Sequence, residues 1–147
     1  MPVEYTERGM LKYTEKLIER FRNPKNIGEL KDPTVVATEG DPTCGDMFRM
    51  FMKIENGRIE DVKFLSFGCA ANIATGDMTA DLIKGKTVED AEKLQIKEIV
   101  DGLGELPAIK MHCATLAYKT LKKALTEYKQ KQASGAQAQP KGYRCRS

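Results

Sequence analysis

Apolar side chains first recur at helical spacing over residues 10–21, where Met10, Tyr13, Leu17, Ile18 and Phe21 fall on one face. Asn23-Pro24 ends that run, because a residue before proline is pushed out of the helical region. A loop with Gly28 and Pro33 leads to "TVVATEG", 34–40, a β-branched run that reads as a strand. Two further apolar-rich runs, "DMFRMFMKI" and "IEDVKFLSF", flank "ENGR". The Asn56-Gly57 pair between them favours a type I′ hairpin turn. "AANIATGDMTADLIKG" predicts a helix that ends at Gly85, and "TVED", 87–90, has the form of a capping box opening a short helix. "IKEIVDGLG" predicts another short helix or turn. Pro107 suits the first turn of a last helix, on which Ile109, Cys113, Leu116, Ala117, Leu121, Ala124, Leu125 and Tyr128 mark an apolar stripe. Residues 132–147 are rich in turn formers and poor in apolar groups, and predict a disordered tail behind a single domain spanning 1–131.

The hairpin carries a geometric consequence. A two-residue loop at Asn56-Gly57 pairs Glu55 with Arg58, and counting outward sets Asp46 against Phe67, Gly45 against Gly68 and Cys44 against Cys69. Directly opposed residues share a face, with Cβ atoms roughly 5 Å apart. Two cysteines far apart in sequence thus become neighbours, to within the shift that a glycine bulge would introduce.

Composition narrows the setting. The 147 residues suit one domain, and no apolar run approaches the roughly 20 residues of a membrane span. The first residues, "MPVEYTERG", lack the apolar core of a signal peptide, so a cytoplasmic location is expected. The formal charge is +3, but residues 129–147 hold five cations and no acid, leaving the rest mildly acidic. Nucleic-acid and membrane binding are therefore not expected.

Four cysteines, at 44, 69, 113 and 145, and one histidine, His112, carry the candidate chemistry. In a reducing compartment, widely spaced cysteines point to metal or catalysis more than to disulfides. Cys69 falls at one helix start and Cys113 in the first two turns of another, where unpaired N–H groups favour a thiolate. Lys110 adds positive charge close to Cys113. His112 offers a neutral nitrogen ligand, and Asp46 a carboxylate two residues from Cys44. Three thiols, an imidazole and a carboxylate suit zinc or iron–sulfur, not calcium or magnesium. A hard oxygen among soft sulfurs should make a bound cluster easier to release. The bland readings are a Cys113 that merely packs, an exposed His112 and a solvent-facing Asp46. A cysteine-protease pair is disfavoured, because adjacent His112 and Cys113 would struggle to align. No C-x-x-C or P-loop occurs.

These segments resemble, in order, the IscU/NifU-type iron–sulfur cluster assembly scaffolds. The resemblance spans about residues 13–131 and rests on "YTEKLIERFRNPKNIG", "GDPTCGD", "FGCAANIAT", "IKGKTVEDA" and "LPAIKMHCATLA". It implies an α+β fold, a three-stranded antiparallel sheet packed by helices. It implies a non-catalytic scaffold and carrier on which a 2Fe–2S cluster is built and passed to acceptor apo-proteins. By position, Cys44, Asp46, Cys69, His112 and Cys113 match the family's cluster and metal site, and Lys110 the lysine beside it. Cys113 then corresponds to the usual persulfide acceptor, fed by a cysteine desulfurase, and zinc can occupy the cluster-free site. Iron or electron donors such as a frataxin-like protein or a ferredoxin are implied partners, and a homo-oligomer is left open.

Three features depart from the pattern. Ala108 replaces the second proline of the family's chaperone-recognition stretch, which leaves a dedicated chaperone open. Gly76 and Asp77 are atypical of a usually serine-rich segment. Cys145 and the first twelve residues match nothing in the family. The alternatives are a zinc-dependent sulfurtransferase relaying persulfide sulfur and a structural zinc domain. The short spacing from Cys69 to Cys113 leaves no room for the insertion of the related zinc sulfur-transfer proteins.

Overall fold

The computed structural model describes residues 13–41 and 46–133. Three antiparallel strands, β1 (Val35–Asp41), β2 (Asp46–Glu55) and β3 (Arg58–Phe67), form a sheet in the order β1-β2-β3. Around it run α1 (Glu15–Arg22), α2 (Ala70–Ile83), α3 (Val88–Glu92), α4 (Ile96–Gly102), a 3-10 turn (Ala108–Lys110) and α5 (Met111–Ala133). The α+β architecture is that expected.

Local chemistry sets the element ends. Thr14 caps α1 by accepting from the Leu17 N–H at 3.0 Å, and the helix stops at Arg22, ahead of Asn23-Pro24. The expected helical residues 10–12 lie outside the described residues. Asn56 and Gly57 both have positive φ, 54° and 75°, as a type I′ turn requires. Thr87 caps α3 through the Asp90 N–H, 3.1 Å away. At the chain's far end α5 continues through Gln132 and Ala133; the tail expectation from residue 134 onward, Cys145 included, lies outside the described residues.

The hairpin register holds at its tip and then shifts. Glu55 faces Arg58 and Ile54 faces Ile59, but Lys53 faces Asp61, so Glu60 is an extra residue in β3. Past this bulge Met47, rather than Asp46, faces Phe67. The bulge has a packing reason. Ile59, Val62 and Phe64 are all fully buried, and strict alternation could not bring both 59 and 62 inward.

Helices α2 and α5 cover the sheet, and α1 lies on α2. Helix α2 is the central layer, buried on nearly every side, which is why its sequence shows no polar face. Gly76 sits where α2 meets Phe48 and Phe64; a Cβ there would come within 2.5 Å of one ring and 2.6 Å of the other. Asp77, 1% exposed, anchors α1 and its following loop. Its Oδ1 accepts from the Lys25 and Asn26 N–H groups at 2.8 Å each and from Asn26 Nδ2 at 3.0 Å. Its Oδ2 pairs with Arg20 at 2.8 Å, and Arg20 also pairs with Asp81. The two atypical residues of this segment thus have structural partners.

One expectation for the last helix fails. Ile109, assigned to the apolar stripe, is 66% exposed, because it lies in the 3-10 turn. Such a turn has about three residues per turn rather than 3.6, which breaks the phase of the stripe. Cys113, Ala117, Leu121, Ala124 and Leu125 are buried as the stripe predicts.

Candidate functional site

Three chain segments deliver the candidate ligands to one end of the sheet. Asp46 opens β2, Cys69 is the N-cap residue of α2, and Cys113 is the third residue of α5. One ligand atom from each lies within 4.8 Å of the others. The Cys69 and Cys113 sulfurs are 4.0 Å apart. His112 closes the group, with Nε2 2.8 Å from Asp46 Oδ2 and 3.8 Å from Cys113 Sγ. Cys44, the remaining candidate, lies outside the described residues. It is two residues from Asp46, a reach of at most about 7 Å.

The imidazole is oriented from behind. Its Nδ1 lies 3.2 Å from the Ile109 carbonyl. A carbonyl only accepts, so Nδ1 carries a proton and Nε2 faces the site. Nε2 lies 2.8 Å from the Asp46 carboxylate, which places both donors on the same side of the group.

Two residues that sequence reasoning missed shape the site. A Cβ on Gly68 would sit 2.5 Å from Asp46 Oδ1 and 2.9 Å from Asn72 Nδ2, so only glycine lets the strand end approach these groups. Asn72, fully buried, donates from Nδ2 to Ser66 Oγ at 2.8 Å and to the Phe67 carbonyl at 3.3 Å. That tie fixes the turn from β3 into α2 on which Cys69 sits. The available signal was a lone polar residue in the small apolar run "AANIA", one helical turn past the cysteine.

The two thiols are unlike. Hydrogen bonding from Cys113 is the main cause that lowers the Cys69 thiol to about 5, with the Asn72 N–H and Lys110 helping and burial opposing. The same hydrogen bond, burial and the negative charge on Cys69 push the Cys113 thiol up. One proton therefore stays on Cys113, and Cys69 is the thiolate. Burial works against the Lys110 ammonium, but the Cys69 thiolate outweighs it and raises its pKa. The expectation that its place near a helix start makes Cys113 the thiolate is thus corrected. It is 0% exposed, on the buried stripe of α5 with Ala114 and Ala117. The activated, half-buried thiol is Cys69.

Phe67 and Ile109, 53% and 66% exposed, and Met111 flank the ligands in sequence and leave apolar surface beside them. Two sulfurs, a carboxylate and an imidazole, partly open to solvent, fit a tetrahedral zinc or a labile iron–sulfur cargo.

Comparison with known proteins agrees. The profile of the family described as NifU-like N terminal domain matches residues 12–135. The chain is 44% identical over 116 residues to iron–sulfur cluster assembly scaffold protein IscU 1 of Archaeoglobus fulgidus, covering 79% of this chain and 76% of that one. It is 42% identical over 122 residues to the protein so named, IscU, of Aquifex aeolicus, covering 82% and 78%. The fold matches the solved N-terminal part of a nitrogen-fixing NifU-like protein from Brucella abortus, with a TM-score of 0.65 at 18% identity, over 80% of this chain and 94% of that one.

Proposed function

We propose, for a chain that belongs to the NifU-like N-terminal domain family and is an iron–sulfur cluster assembly scaffold of the IscU/NifU type, that it builds a 2Fe–2S cluster on Cys44, Asp46, Cys69, His112 and Cys113 and hands it to acceptor apo-proteins. The observation that carries this reading is the convergence of Asp46, Cys69 and Cys113 within 4.8 Å, with His112 Nε2 turned toward them. Three separate segments supply the donors. Soft sulfurs hold iron, and the harder carboxylate weakens the hold on one side, which suits a carrier better than a permanent electron-transfer centre.

Electron balance defines the partners. Two sulfane sulfurs need four electrons to become sulfide. Two ferrous ions becoming ferric supply two of them, so a reductant such as a ferredoxin must supply the other two. The sulfur comes from a cysteine desulfurase as persulfide, with Cys113 the residue that carries it beside the iron. A frataxin-like protein fits the role of iron donor. Lys110, in contact with Cys69, keeps positive charge at the site. Cluster chemistry on reduced thiols fits the cytoplasm, and among the described residues no helix is long and apolar enough to cross a membrane. The scaffold domain runs at least to the end of α5 at Ala133.

A zinc-dependent sulfurtransferase is the second reading, favoured by a set of sulfur, nitrogen and oxygen donors of the types zinc takes and by the Cys69 thiolate. One experiment separates the two. The protein is incubated anaerobically with ferrous iron, cysteine, a desulfurase and a reductant such as reduced ferredoxin or dithiothreitol, and then with a separate apo-ferredoxin as acceptor. The scaffold reading expects a visible-absorbing species that disappears as the acceptor gains its cluster. Retained stoichiometric zinc, strong stimulation of the desulfurase and no coloured species would establish the sulfurtransferase instead.

A further inference from the structure

We infer that the outer side of residues 26–28 is a docking edge for an extended, acidic segment of a partner protein, a surface separate from the ligand cluster. Residues 26–28 lie along the outside of β3. The Phe64 N–H donates to the Asn26 carbonyl and the Gly28 N–H to the Phe64 carbonyl, each at 2.9 Å. In that parallel pattern the N–H and C=O of the residue between, Ile27, point away from β3. Neither has a hydrogen-bond partner among the described residues. Neighbouring backbone groups are taken. Gly85 and Lys86 pair with Ile59, the Val62 N–H donates to Asp61 Oδ1 at 2.9 Å, and the Lys25 and Asn26 N–H groups go to Asp77. Ile27 therefore offers one open donor and one open acceptor, from which an incoming strand would gain two backbone bonds.

The side chains around it select the occupant. Ile27 is 43% exposed, and Phe21, near the end of α1, is 39% exposed. The stretch 21–28, FRNPKNIG, carries two cations and no acid. A Cβ on Gly28 would lie 4.0 Å from Lys63 Cδ, so a third cation runs along its flank. Arg22, Lys25 and Lys63 are in no ion pair among the described residues, while Asp77 and Asp81 behind them are held by Arg20. Arg22 and Lys25 also line a groove of about 770 Å³ along α1, to which Lys16 adds another cation. Two exposed apolar side chains among unpaired cations, beside an open backbone donor and acceptor, match a strand whose side chains alternate between apolar and carboxylate. The chain's own ends do not supply one: residues 1–12 hold two acids and two cations, and residues 134–147 no acid. Ile27 lies level with Phe64, three residues along β3 from Phe67, or about 10 Å. A partner seated there leaves the ligands at the end of the sheet open.

The test uses the full-length, metal-free protein and a short fluorescein-labelled peptide of alternating glutamate and valine, read by anisotropy and by amide NMR. Saturable binding is expected that weakens as salt rises, with shift changes centred on residues 21–28 and Lys63 and slower hydrogen exchange at the Ile27 amide. The same peptide with lysine in place of glutamate, or with every backbone N–H methylated, should not bind. The double variant Arg22→Glu, Lys25→Glu changes two exposed side chains and should bind about tenfold more weakly or worse, with circular dichroism confirming its fold. No saturable binding, shifts centred on the ligand cluster, binding that survives backbone methylation, or a folded double variant that binds as wild type overturns the proposal. So does self-association of the protein that protects the Ile27 amide, seen by sedimentation and hydrogen exchange, because the edge is then a contact between copies. The wild-type arms need no variant. No readout depends on cluster assembly, so failure of the scaffold reading and failure of this docking edge are told apart.

Discussion

His112 Nε2 meets Asp46 Oδ2 at 2.8 Å, joining the start of α5 to the start of β2 across 66 residues of sequence. The pair puts the two non-sulfur donors side by side, opposite the two thiols. Asp46 thus holds the imidazole, and on the proposed reading it also offers a hard oxygen to a cluster.

Asp46→Ala should lengthen the life of a bound cluster several-fold, because the remaining sulfur and nitrogen donors match iron–sulfur better than the carboxylate does. The check is the decay of visible absorption in the presence of a chelator. A cluster that decays faster than wild type would refute this account of Asp46.

Alkylation should distinguish the two thiols. A free cysteine gains reactivity as pH rises through about 8.5. Cys69, lowered to about 5, is already thiolate at neutral pH and should lose reactivity only as pH falls through about 5. Cys113, shifted up and buried, should stay slow across this range. Lys110→Met removes a charge that favours the thiolate, so the Cys69 profile should move to higher pH. The measurement is iodoacetamide labelling of metal-free protein against pH, read by peptide mass.

Gly76→Ala should destabilise the fold by about 1–3 kcal/mol, the usual range for overpacking a core. The new methyl would press on both Phe48 and Phe64, whose rings already pack at 6.0 Å in a tilted pair. Urea denaturation should show a lower midpoint with an unchanged slope.

Asp77→Ala should cost about 3 kcal/mol, because it leaves the Lys25 and Asn26 N–H groups unpaired and removes one of the two partners of Arg20. The expected signature is loss of α1 protection in hydrogen exchange before the sheet opens.

Much of this was legible in local sequence. Asn56-Gly57 announced the hairpin tip, Asn23-Pro24 the end of α1, and helical spacing the buried face of α5. Features set by distant partners were not. The Glu60 bulge exists because Ile59 and Val62 must both face inward, which no turn residue signals. Asp77 looks like a surface residue until Arg20 and Asn26, over fifty positions away, fold onto it. The candidate ligands were visible as residue types, but the division between the thiols was not. Spacing gave Cys113 a place on the apolar stripe and a place near a helix start without deciding between them; the structure buries it.

The most direct test of the central claim is the anaerobic absorption spectrum of reconstituted protein, with iron and sulfide analysis, in wild type and in Cys69→Ser and Cys113→Ser. The account predicts a visible charge-transfer spectrum with equal iron and sulfide in the wild type, lost or strongly reduced in both variants. A wild-type protein that stays colourless under conditions that load another scaffold, or variants as coloured as wild type, would contradict it.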